Sequence, residues 1–385
     1  MKRICVLTAT RAEYGLLYPI ISKIEKDPEL ELQLIVSGTH LSKDFGHTKD
    51  EIVEDGFPIA AEVDIREMEN DPCAISKSMA RAIRGLADIL KKKRPDMAVI
   101  LGDRYEMMAF AISLVNEKIP IAHINGGETT EGALDEVYRH CITKMSILHF
   151  TNCEIHRNRV IQMGEQPNRV FNVGDVCVDN ILTEQLLPKE EMERELQIEL
   201  PEKKTVVITY HPVTMEEDSL KQVDTVLKAL EKFPGLTLVF TKANADSGGT
   251  QINKCLENYV KKRKNAVLVD SLGRIRFLSL LKYSALMLGN SSSGIYEAPV
   301  FQIPTVNIGN RQKGRLHGET VLDCPVEESA VCETIKQALG SEFQQKCKTS
   351  KNLFGDGHAS EQIIRILKRY LEKDISVEKK FYDLK

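Results

Sequence analysis

Residues 97–124 read MAVILGDRYEMMAFAISLVNEKIPIAHI. The opening MAVILG (97–102) and the closing IPIAHI (119–124) are almost wholly apolar. Strands of that kind have no face for water and belong inside a sheet covered on both sides. Between them, YEMMAFAISLVNEK (105–118) has the length and mixed pattern of a helix. Strand, helix and strand in so short a span make a βαβ crossover, and its strands run parallel.

The same alternation continues outward in both directions. Strands are predicted at 3–8, 32–37, 147–152 and 169–174 in the first half, and at 205–210, 236–241, 266–271, 285–290 and 304–309 in the second. Leu16, Leu17, Ile20, Ile21 and Ile24 mark one face of a helix, and 134–146 reads as another. A chain of 385 residues suits two domains of about 150 to 200 residues. The predicted fold class is α/β: two doubly wound, Rossmann-like domains, residues 1–178 and 179–385, facing across a cleft. The boundary falls in a charged stretch with two prolines, 176–204, and the last helix, around 358–372, fits either half.

Composition narrows the function classes. An apolar content of 42% is enough for two cores. A net charge of −4 and a pI near 6.2 give no reason to expect nucleic acid. Nine cysteines, an odd number with no CxxC spacing, predict neither a disulfide framework nor a metal site. Cys5, Cys141 and Cys153 read as reduced core residues of a cytoplasmic protein. The apolar run in MKRICVLTAT is too short for a signal peptide, and no stretch reaches the roughly 20 apolar residues of a membrane span.

In open α/β sheets, ligands bind beyond the carboxyl ends of the strands. The polar residues of this chain gather there. Asp103 and Arg104 follow one strand; Asp103 reads either as a helix N-cap with Glu106 behind it or as an acid–base carboxylate in a cleft. AHINGGETTEGALDEVYRH (122–140) places Asn125 and two glycines after the next strand, then Glu128, Glu131, Asp135 and Glu136. Asp135–Arg139 and Glu136–His140 have the spacing of solvated helix ion pairs; equally, acids at neighbouring strand ends push each other's proton affinities apart. LMLGNSSSGIYEAP (286–299) ends a strand in Gly289 and offers Ser291, Ser292 and Gly294 to an anion, with Glu297 placed to accept from ribose hydroxyls. His211 in ITYHPV and Arg11 in TATRAEYG sit at two further strand ends. The first turn lacks GxGxxG, which disfavours a dinucleotide.

Six segments now stand in order: TATRAEYG, LGDRYE, HINGGETTEGALDEVYRH, TYHP, GNSSSGIYEAP and NIGNRQKGR. Together they resemble the hydrolysing UDP-N-acetylglucosamine 2-epimerases of bacterial sialic acid synthesis and the epimerase half of the animal bifunctional enzyme. The resemblance implies a GT-B type fold that holds UDP mainly in its C-terminal domain. It implies elimination of UDP to a glycal, then addition of water, giving N-acetylmannosamine or an analogue for sialic-type acid synthesis. It implies no cofactor, a UDP-activated amino sugar as the partner, no membrane, and a homodimer or homotetramer. By motif match, Asp103 and Asp135 stand at acid–base positions. Arg11, Arg104, His211, Ser291, Ser292, Glu297 and Arg311 stand at UDP-contacting positions, with Asn244 of FTKANADSGG beside them.

One residue departs from the pattern. The animal epimerase and the non-hydrolysing relatives carry a catalytic Glu directly after the His-aliphatic pair, where this chain has Asn125. Glu128, Glu131 or water is then expected to carry that proton. The change also suits a branch acting on a 2,4-diacetamido-trideoxy sugar of the legionaminic acid route. Three alternatives remain: a non-hydrolysing epimerase, a GT-B glycosyltransferase, and a UDP-sugar-binding regulatory protein without turnover.

Overall fold

A computed structural model describes residues 1–42, 48–67, 72–130, 134–212, 219–243, 249–269, 272–373 and 376–384. The chain divides into two compact units: Met1–Asn180 together with Phe354–Lys385, and Ile181–Leu353.

The first unit is built on seven strands: β1 (Lys2–Thr8), β2 (Leu30–Ser37), β3 (Ile59–Val63), β4 (Met97–Leu101), β5 (Ile121–Ile124), β6 (Leu148–Thr151) and β7 (Val170–Asn172). They lie in the order β3-β2-β1-β4-β5-β6-β7. Every neighbouring pair is parallel. β1 shows why the apolar runs are unbroken. Ile4 and Val6 face a core shared with Leu17, Ile20, Ile21 and Ile24, while Cys5 and Leu7 face another shared with Leu86 and Phe110. A strand buried on both faces has no position left for a polar residue.

The helix Arg11–Lys26 starts earlier than its apolar stripe. Thr10 accepts from the Glu13 N–H at 3.3 Å, and Glu13 accepts from the Thr10 N–H at 3.1 Å, a reciprocal cap. The final helix, Ala359–Leu371, buries Ile363 and Leu367 in the same core as Leu17 and Ile21. Lys368 at its far end reaches Asp27 at 2.7 Å. The chain after it, 376–384, runs over the first unit: Lys379 Nζ meets Glu165 at 2.6 Å, and Phe381 covers Gly164.

The second unit has six strands: β8 (Thr205–Thr209), β9 (Thr237–Thr241), β10 (Ala266–Val269), β11 (Leu286–Gly289), β12 (Thr305–Ile308) and β13 (Val321–Cys324). Their order is β10-β9-β8-β11-β12-β13, again parallel throughout. Two strands were not expected, β3 and β13, and both lie at sheet edges. An edge strand is half solvated, so IAAEV and VLDC carry an acid and lack the long apolar run that marks the interior strands. Among the described residues, no helix is long and apolar enough to cross a membrane.

Each sheet reverses its strand order once, at β1/β4 and at β8/β11. At such a switch point the two flanking connections leave in opposite directions and open a crevice at the carboxyl ends of the strands. Arg11, Asp103 and Arg104 sit at the first of these places and His211 and Ser291 at the second; Asn125, Glu128 and Asp135 follow β5, and Arg311 follows β12.

Candidate active site

At the first switch point, Ala9 and Thr10 follow β1, while Gly102 and Asp103 follow β4. Gly102 has φ +77°, and its carbonyl accepts from His123 Nε2 of β5 at 2.8 Å. Burial lowers the His123 pKa to about 3, so this ring is a neutral brace between strand ends. Asp103 is paired with Arg139 Nη2. The Arg139 guanidinium is buried, and its Nη1 also meets Glu136 Oε2 at 3.2 Å and Thr130 Oγ1 at 3.2 Å. Arg104 turns back on Glu106 with contacts of 3.1 and 2.9 Å. Glu106 is itself buried. Arg11 lies at the surface and pairs with Glu51 at 3.0 Å.

Glu13, which the sequence reading passed over, lies beside this cluster. Its Oε2 takes the Ala9 N–H at 2.8 Å and the Thr10 N–H at 3.1 Å, while its buried Oε1 has no hydrogen-bond partner among the described residues. Burial raises its pKa to about 7; the two N–H groups and Arg104 oppose the rise, and Glu106 adds to it.

Helix ion pairing differs from expectation. Arg139 takes Asp103 and Glu136 as partners rather than Asp135. The predicted pair of Glu136 with His140 does form, at 3.0 Å. Asp135 stands exposed in the first turn of the Leu134–Met145 helix. Glu131 lies outside the described residues.

The turn after β5 is shaped by Asn125 at φ +62° and Gly127 at φ +84°. A side chain at 127 would collide with the His156 carbonyl. Asn125 Nδ2 lies 3.4 Å from Asp175 Oδ2. Asn152, at the end of β6, donates to the same oxygen at 3.1 Å and also to Glu128 Oε1. Asp175 follows β7 and is buried; desolvation pushes its carboxyl above the usual range against three donors, the Cys177 N–H and the two Asn amides. Neither Asn152 nor Asp175 was singled out in the sequence, although Asp175 obeys the rule that located Asp103: an acid just past an apolar strand.

In the second unit, Asn290 organises the switch point. Its side chain takes the His211 N–H on Oδ1 at 2.7 Å and donates to the His211 carbonyl at 2.8 Å. Its own carbonyl accepts from Arg311 Nη1 at 3.0 Å and Gln312 Nε2 at 2.9 Å. One fully buried asparagine thus fixes His211 after β8 through its side chain and Arg311 from the chain after β12 through its backbone carbonyl. Gly289 has φ +136° and packs directly on the Thr209 carbonyl. Ser292 precedes the short Ser293–Tyr296 helix without a side-chain cap bond, and Ser291 Oγ accepts from the Ser293 N–H at 3.3 Å. Gly294 is buried against Thr305 of β12, a packing position.

A cavity of about 570 Å³ opens here, lined by Thr209, His211, Thr241, Lys242, Arg274, Phe277, Ser291, Ser293 and Glu297 among others. It combines two cationic side chains, hydroxyls, an aromatic ring and one carboxylate, a set suited to phosphate, ribose and base. The structure therefore brings His211, Ser291 and Glu297 together. Arg311 reaches the group through Asn290. Asn244 lies outside the described residues.

Two doubly wound parallel units, one with acids and the other with an anion-suited cavity at its switch point, define the class: α/β enzymes of the GT-B type. The chain belongs to the UDP-N-acetylglucosamine 2-epimerase family, whose sequence profile matches residues 22–368, and it is an enzyme of the hydrolysing kind. It is similar to the GDP/UDP-N,N'-diacetylbacillosamine 2-epimerase (hydrolyzing) of Campylobacter jejuni, 40% identical over 385 residues, covering 100% of this chain and 99% of that one. It is 36% identical to the polysialic acid biosynthesis protein P7 of Escherichia coli, covering 100% and 98%. The crystal structure of the UDP-GlcNAc 2-epimerase from Neisseria meningitidis bound to UDP-GlcNAc matches it with a TM-score of 0.80 at 20% identity, over 96% of this chain and 100% of that one. That likeness shows the fold.

Proposed function

We propose that the protein is a hydrolysing 2-epimerase of a UDP-activated 2,4-diacetamido-2,4,6-trideoxy sugar. On this reading UDP-sugar and water become the 2-epimeric free sugar and UDP. A base takes the C2 proton, and the electron pair forms the C1–C2 double bond as UDP leaves C1. A proton is then returned to C2 on the opposite face and water adds to C1. The observation that carries the reading is the set of acids at the first unit's switch point, on a chain 40% identical to a hydrolysing diacetylbacillosamine epimerase.

The division of labour follows the chemistry. The C2 proton is weakly acidic, so its acceptor must be rigidly placed. The buried Arg139 gives Asp103 that rigidity. Asp103 and Asp135 are the proposed acid–base pair, with Glu128 and Glu131 serving the step that Asn125 cannot. Departure of UDP needs positive charge and N–H dipoles around the diphosphate. His211, Ser291, Ser292 and Arg311 are assigned to it, with Arg11, Arg104 and Asn244. Glu297 is assigned to the ribose hydroxyls. The enzyme works without a cofactor.

UDP-N-acetylglucosamine is the second reading, favoured by the description of the family itself. The two are separated by incubating the protein with each UDP-sugar and following products by NMR. The proposal expects the 2,4-diacetamido sugar to be epimerised with the higher kcat/KM. Faster conversion of UDP-N-acetylglucosamine to N-acetylmannosamine would select the second reading.

A further inference from the structure

We infer that Glu128 and Asp175, joined by the Asn152 amide, work as a single carboxyl pair in which Asp175 sets the proton affinity of the group that Glu128 presents to the sugar. The inference rests on the acid–base role proposed for the first unit. Glu128 is the catalytic member, and Asp175 is a positioning residue.

The orientation of the Asn152 amide follows from its neighbours. His156 Nδ1 lies 2.6 Å from Asn152 Oδ1. Burial lowers the His156 pKa to about 4, so its ring is neutral. With two carboxyl oxygens on the other side of the amide, the tautomer that fits carries its proton on Nδ1 and donates to Oδ1. The amide oxygen is therefore committed, and Nδ2 must face the carboxyls. That nitrogen has two hydrogens and two acceptors, Glu128 Oε1 and Asp175 Oδ2. Two carboxyl oxygens bound to one nitrogen are too close for both groups to ionise independently, so they titrate as a pair.

Asn125 extends the device. Its left-handed backbone aims Nδ2 at Asp175 Oδ2, while its buried Oδ1 has no hydrogen-bond partner among the described residues. A half-turn of this amide presents a carbonyl instead, and a protonated Asp175 then donates to it. A residue unable to carry a proton thus accommodates either state of a carboxyl that can. Among the described residues, other charged and titratable groups face the pair. They are Asp179, which adds negative charge to Asp175, Cys153 next to Glu128, and Arg159, which donates to the Gly127 carbonyl. Asp179 is itself held by the Ala359 and Ser360 N–H groups at 2.9 and 2.7 Å.

The test compares Asp175→Asn and Asn152→Ala in the full-length enzyme. Asp175→Asn removes one negative charge, so the limb of the kcat/KM profile belonging to the pair moves down by about one pH unit. Asn152→Ala keeps both carboxyls and removes their shared donor, so the limb moves up. KM and UDP affinity stay within threefold in both. Limbs that stay in place, or that move the same way in both variants, overturn the pairing. The carboxyl 13C titration of Glu128 reads the same opposed shifts without substrate. It judges the pair even if wild type turns over neither UDP-sugar, an outcome that refutes only the proposed function. If Asp175→Asn fails to fold, Asn152→Ala and Glu128→Gln decide: the second is expected to lose at least 100-fold in kcat, and near-normal turnover overturns the inference.

Discussion

Replacing Glu13 with Gln is expected to stabilise the first unit above neutral pH and to do little below pH 5. Glu13 is only 8% exposed and its pKa in the fold is about 7, against an ordinary value of 4.5. A group with a raised folded pKa favours the fold while protonated. Its contribution is complete below about pH 4.5 and is lost as pH rises through about 7. Each tenfold change in proton affinity is worth about 1.4 kcal/mol, so ionised Glu13 costs the native state about 3 kcal/mol at pH 8. Gln keeps an amide oxygen for the Ala9 and Thr10 N–H groups, so the helix cap survives while the buried charge does not. Urea unfolding of wild type and Glu13→Gln, run at intervals from pH 4.5 to 8.5, measures the difference. The stability gap should widen by about 2 to 3 kcal/mol across that range, in favour of the variant. A gap that is the same at every pH would refute the reasoning.

Two further substitutions address the two switch points. Asp103→Asn should reduce kcat by at least 100-fold while UDP affinity stays within a few-fold, because Asn retains a contact with Arg139 but cannot move a proton. Near-normal turnover would remove Asp103 from the mechanism. Gly289→Ala places a methyl group against the Thr209 carbonyl at φ +136°, a conformation few L-residues adopt. The second unit should lose about 3 kcal/mol or more, with UDP binding weakened alongside and the unfolding of the first unit unmoved. An unchanged calorimetric transition for the second unit would contradict the packing described.

Much of this architecture was legible because interior parallel strands have no polar face. All of the predicted strands occur, with ends shifted by one or two residues. β3 and β13 were not legible because IAAEV and VLDC each break a short run with an acid, whereas the other two edge strands, β7 and β10, still read as strands at 169–174 and 266–271. Candidate residues at strand ends, such as Asp103 and His211, were legible through the rule that places ligands there. Glu13 was hidden by its second role as a capping glutamate, which its spacing from Thr10 explains fully. Asp175 and Asn152 acquire meaning only through each other and through Glu128 and Asn125, partners supplied by other strands. Asn290 reads as one polar residue in a serine-rich turn. Only the fold shows that it clasps His211 on one side and Arg311 on the other.

In the proposed reaction a proton leaves C2 as UDP departs, and another then arrives from the opposite face. Turnover of the UDP-sugar in deuterium oxide, with the product read by NMR and mass spectrometry, tests it most directly. The expected result is a free 2-epimeric sugar carrying one deuterium at C2, with one UDP released per sugar. A product without deuterium at C2, or an epimer still joined to UDP, would contradict the account.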